Sequence, residues 1–101
     1  MDQFAILAIL QARPGKEKEV EDFLKSAQPL ALQEPDTTNW FAVRLGPAQF
    51  AIFDTFPNAA GRDAHLNGEI ARALFAKAEE LFAEPPRVEQ GALLASKTPR
   101  S

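Results

Sequence analysis

Two stretches of this chain are apolar without alternation: Phe4-Ala5-Ile6-Leu7-Ala8-Ile9-Leu10 and Phe50-Ala51-Ile52-Phe53. Successive side chains of a strand point to opposite faces of its sheet. A sheet with one wet face is therefore written as apolar and polar residues in turn. These two strands are apolar on both faces, so they belong in the middle of a sheet that is covered on both sides.

Turn signals divide the rest. Pro14-Gly15, Glu34-Pro35-Asp36, Gly46-Pro47, Phe56-Pro57-Asn58 and Pro85-Pro86 cut the chain into regular pieces. Residues 4–12 read as a strand. Residues 16–33 read as a helix, with Val20, Phe23, Leu24, Ala27 and Ala31 at helical spacing and acidic residues in the early turns. Pro29 lacks a backbone donor, so a kink or restart is expected there. Residues 38–45 and 49–56 form a hairpin about a turn at 46–48. Asn58 caps a short helix over 59–66, Gly68 interrupts, and a longer helix over 69–83 ends at Pro85-Pro86. A last strand covers about 88–95, and 97–101 is expected to be a flexible tail. The whole of 1–101 reads as a single domain.

The order β-α-β-β-α-β is that of a ferredoxin-like α+β fold, a four-stranded antiparallel sheet with helices on one face. The first and third strands lie centrally in that topology, and they are the two apolar ones. Two helices cover one face only. Leaving large side chains bare on the other costs ~1.5–3 kcal/mol each. No segment is spare to cover them, so the expected partner is a second copy, packed sheet to sheet as a two-fold dimer.

Composition narrows the function. There are 11 basic and 14 acidic residues, for a net charge of −3, which argues against nucleic acid as a partner. There is no cysteine and one histidine, which excludes thiolate chemistry and a Cys-ligated metal, and disfavours a multi-His centre. No run approaches the ~20 apolar residues of a membrane span, and no signal peptide is apparent, so the reading is a cytoplasmic protein without membrane attachment.

Ala12-Arg13-Pro14-Gly15-Lys16-Glu17 after the first strand, Glu34-Pro35-Asp36-Thr37 ahead of the second, and Phe50–Phe56 followed by Ala64-His65-Leu66 resemble the antibiotic biosynthesis monooxygenase family. The resemblance implies a dimeric α+β barrel enclosing apolar clefts. It also implies oxidation of a small aromatic phenol or quinol by O2 with no cofactor, neither metal nor flavin. Two departures stand beside it. The chain has no tyrosine, and its one tryptophan, Trp40, is on the second strand. Residues 69–83 hold no histidine, which speaks against the haem-degrading relatives.

Such chemistry needs a proton acceptor, a group to hold the developing oxyanion, and exclusion of water. His65 is the candidate base; the alternative is a structural histidine tying helix to sheet. Asp54, an acid in a central strand, is a base with a raised pKa or the partner that orients His65, or it forms a buried ion pair with Arg44 or Arg62. Arg44 shares a strand face with Trp40, so it either holds an anionic oxygen while Trp40 stacks on a ring, or ends the strand as a surface charge. Asn39 faces the other way, as a substrate contact or a turn residue. Phe56 is the phenylalanine assigned to a cleft wall, most others being core. A non-catalytic dimer that binds a small apolar or aromatic ligand or contributes to stress tolerance is the competing reading.

Overall fold

The computed structural model describes residues 2–99. Its elements are β1 (Phe4–Gln11), α1 (Glu17–Leu32), β2 (Asn39–Arg44), β3 (Gln49–Phe56), α2 (Ala59–Leu66), α3 (Glu69–Ala76), α4 (Ala78–Leu81) and β4 (Arg87–Ala92). The strands form one sheet in the order β2-β3-β1-β4, with every neighbouring pair antiparallel. This is the ferredoxin-like arrangement, and the two apolar strands take the centre.

Register fixes which residues share a face. Leu10 pairs with Phe50, Ala8 with Ile52 and Ile6 with Asp54. These even-numbered positions turn toward the helices. There Leu10, Phe50 and Ile52 meet Val20 and Leu24 of α1, and Leu81 and Phe82 beyond α3, in the main core. A smaller cluster of Ala27, Ala31 and Ile70 adjoins it, and Trp40 packs against both. The odd-numbered positions face away. On that side Leu7, Phe41, Val43 and Phe53 remain exposed, Phe41 at 54%. The helices lie on one face of the sheet, as the pattern requires.

Local signals explain most boundaries. Gly15 turns the chain at φ 84, a conformation that glycine adopts at no steric cost. Asn58 accepts from the Gly61 backbone N–H at 2.8 Å and caps α2. Several boundaries differ from expectation. α1 neither restarts nor breaks at Pro29, which falls in its last turn, where the lost donor frees one carbonyl on an exposed side. The expected helix over 69–83 is two helices broken at Lys77. Its end comes at Phe82 rather than at the prolines. Phe82 goes extended and bridges Ala12, the Arg13 N–H donates to the Leu81 carbonyl, and the Ala83 N–H donates to the Gln11 carbonyl. This prolongs the edge of β1 and buries the Phe82 ring. β4 stops at Ala92, and residues 93–98 form no regular element. Of the expected tail, Arg100 and Ser101 lie outside the described residues.

Candidate functional site

Asp54 enters the site from β3 on the helix side of the sheet. It is 1% exposed, and a carboxylate so placed needs a partner. The partner is His65 in the last turn of α2: Nε2 lies 2.9 Å from Asp54 Oδ2. Its other ring nitrogen, Nδ1, lies 2.6 Å from Glu34 Oε1. Glu34 belongs to the connection between α1 and β2. Its Oε1 also accepts from the Thr37 hydroxyl at 2.7 Å. Three separate elements thus contribute to one row, Asp54–His65–Glu34.

Charge follows from that geometry. Each ring nitrogen faces a carboxylate oxygen, an arrangement satisfied when both nitrogens carry protons. Burial, the largest single influence, pulls the His65 pKa down. The hydrogen bond and charge of Asp54, then those of Glu34, outweigh it, and the net shift is upward. The end of a helix also favours a cation. His65 is accordingly an imidazolium over a wider pH range than an ordinary histidine. The Phe56 ring, wholly buried, sits 5.4 Å from the imidazole centroid and walls it from the sheet side.

Two spaces meet at His65. Outside the row lies a cleft of about 320 Å³ between the α1–β2 connection and α2–α3, bordered by Glu34, His65, Leu30, Ala64 and Arg72. Glycines shape it. A Cβ on Gly68 would lie 3.3 Å from Glu34 Oε2, and one on Gly61 would lie 2.8 Å from Asp36 Cβ. On the inner side of the row lies a small, partly open cavity of about 40 Å³, walled mainly by apolar side chains, half-exposed Phe75 among them, and touched by Asp54 and His65. Asp54 Oδ1 has no hydrogen-bond partner among the described residues.

The other candidates do not gather here. Asp54 does not pair with Arg44 or Arg62. Arg62 reaches Asp63, and Arg44 reaches Glu21 of α1 at 3.1 Å. Arg44 also donates to the Gly46 and Pro47 carbonyls and lies over the Phe50 ring, so it clasps the hairpin turn to α1. Trp40 does share its strand face, and both border a separate cleft of about 490 Å³ between α1 and β2. Asn39 is on the open face, donating to Thr55 Oγ1 at 2.9 Å. Glu34, Thr37 and Arg72 were not picked out by sequence reasoning. Glu34 stands 31 residues from His65, and neither spacing nor periodicity links them.

Comparison with known proteins supports the architecture. Neither a family model nor a curated protein sequence matches the chain. Among solved structures, a Nitrosomonas europaea protein of unknown function is 50% identical, with a TM-score of 0.95 over 98% of this chain and 96% of that one. A Pseudomonas aeruginosa protein is 18% identical, with a TM-score of 0.79 over 94% of this chain and 97% of its own. A structure named antibiotic biosynthesis monooxygenase is 17% identical, with a TM-score of 0.77 over 91% and 99%. The two distant likenesses speak to the fold alone. The chain therefore belongs to one family with the Nitrosomonas europaea protein, on the ferredoxin-like fold that antibiotic biosynthesis monooxygenases also use.

Proposed function

We propose that the protein is a cofactor-independent monooxygenase that oxidises a small aromatic phenol or quinol with O2 in the cleft outside His65. The observation that carries this reading is the unbroken row Asp54–His65–Glu34, at 2.9 and 2.6 Å, ending on a cleft large enough for a ring and bordered by Arg72. Both nitrogens of His65 are occupied, so the ring is better suited to hold Glu34 than to take a substrate proton itself. Glu34 is the acceptor in this reading, and Arg72 holds the oxygen that becomes negative. His65 aims Glu34, and buried Asp54 aims His65. The roles expected of His65 and Asp54 each move one step inward, and Arg72 takes the one expected of Arg44.

The active form is a two-fold dimer. Leu7, Phe41, Val43 and Phe53 leave an apolar patch on the open face, and a second copy covers it most simply. Sedimentation at micromolar concentration tests this; a monomer there removes the dimer from the proposal.

Oxygen uptake with anthrone-like and quinol substrates tests the activity. Uptake above a heat-killed control is expected, with loss in Glu34→Gln. No uptake across the panel would overturn the reading. The saturation of His65 favours a second one, a non-catalytic binder of small aromatic molecules. In that case ligands raise the melting temperature and no oxygen is consumed.

A further inference from the structure

The cavity on the inner side of His65 has no part in the binding of an aromatic ring. At about 40 Å³ it is far smaller than the roughly 150 Å³ of a protein cavity that takes benzene. Its walls include Ile6, Ala8 and Ile52 from the sheet and Ile70, Ala71 and Leu74 from α3, and half-exposed Phe75 also borders it. The polar residues that touch it are Asp54 and His65. His65 Nε2 and Asp54 Oδ2 are committed to each other, and His65 Nδ1 is turned to Glu34. Asp54 Oδ1 is left as one available partner, whereas a buried water ordinarily has about three. The space is too apolar to hold water well, and it fits a guest of one or two heavy atoms.

We propose that this cavity is a binding site for molecular oxygen. A small, uncharged, apolar molecule gains by leaving water for an aliphatic wall, and it asks for no hydrogen bonds in return. The gas site lies on the inner side of His65 and the ring cleft on its outer side. The choice of oxygen over other apolar gases rests on the oxygenase reading; the gas site itself rests on the cavity alone.

Oxygen is paramagnetic, so it reports its own position. The experiment records methyl resonances of the full chain under a few bar of oxygen and then of nitrogen. Relaxation of the Ile6, Ile52, Ile70 and Leu74 methyls is expected to rise several-fold more than that of Val20 and Leu24, which are as deeply buried on the α1 side of the core. Added xenon should compete and reduce the effect at the same methyls. Ala71→Leu should fill the space and abolish the selectivity; if that variant does not fold, the xenon competition in the unaltered protein decides. Equal enhancement at all buried methyls, or none, overturns the site. Selective enhancement without oxygen consumption on any phenol or quinol keeps the site and removes the oxygenase reading.

Discussion

Replacing Asp54 by asparagine tests the charged state of the central row. The amide keeps the shape and one acceptor for His65 Nε2 but removes the negative charge. Asp54 is 1% exposed and His65 8%, so solvent screens their interaction little. Removing one partner of a buried ion pair costs ~3–5 kcal/mol when the other charge is stranded. Here Glu34 remains at 2.6 Å and the amide oxygen still accepts, so the loss should resemble that of one charge-assisted hydrogen bond, ~1.5–3 kcal/mol. The loss should also depend on pH. The folded-state pKa of His65 lies above its unfolded value, so between the two the native state binds more protons and stability falls as pH rises. The row's contribution is complete below about pH 6.5 and is lost as pH passes through the folded pKa. The gap between wild type and Asp54→Asn should thus be widest near pH 6 and narrow toward pH 9. Urea unfolding at fixed protein concentration, followed through Trp40, measures it. A gap independent of pH would mean that Asp54 meets a neutral imidazole, and the charged row would be refuted.

Three further outcomes follow from the same geometry. His65 is the chain's one histidine, so its NMR titration needs no assignment; the midpoint should lie above the ordinary histidine value and fall in Glu34→Gln, and an unmoved midpoint would remove Glu34 from the row. Gly61→Ala puts a methyl 2.8 Å from Asp36 Cβ and 3.2 Å from its carbonyl oxygen, so α2 must move; a loss of ~1–3 kcal/mol in denaturant unfolding is expected, and native stability would show that the connection yields freely. Arg44→Ala breaks a partly exposed clasp and should cost up to ~1 kcal/mol in thermal unfolding while sparing oxygen uptake; loss of uptake in a folded protein would return Arg44 to the site.

The topology was legible because a central place in the sheet leaves a plain mark. Only central strands can read Phe-Ala-Ile-Leu-Ala-Ile-Leu, and β1 pairs on both sides with β3 and β4. Asn58 was legible because a helix start uses local chemistry. The break at Lys77 was not, since Ile70, Leu74, Ala78 and Leu81 keep helical spacing straight across it. Phe82 leaves the helix for a bridge to Ala12, a contact 70 residues away in sequence. The face of Arg44 could be read from strand parity, but its partner could not, because Glu21 reaches it only through the way α1 lies on β2. Asp54 and His65 were both visible as unusual. Their pairing with each other rather than with arginine depends on where α2 ends.

Glu34 carried one unread signal. It follows the C-cap of α1, where the helix presents its negative end, and the last turn of α1 has no basic residue. An acid there opposes the helix dipole by ~0.3–1 kcal/mol, and such a local misfit is kept where something else repays it. His65 does so, as a cation in the last turn of α2. Glu34→Lys separates the two influences. Lysine removes the acid's opposition and adds its own favourable interaction with the end of α1, together ~0.6–2 kcal/mol of stabilisation if the dipole decided the matter. It also faces the imidazolium with a like charge and forfeits a charge-assisted hydrogen bond of ~1.5–3 kcal/mol. The second influence is larger, and like-charge repulsion adds to it, so the variant should be less stable by roughly 1 kcal/mol near pH 6. The deficit should shrink once His65 is neutral. A variant more stable than wild type at pH 6 would show that the helix end, and not the row, determines what stands at this position.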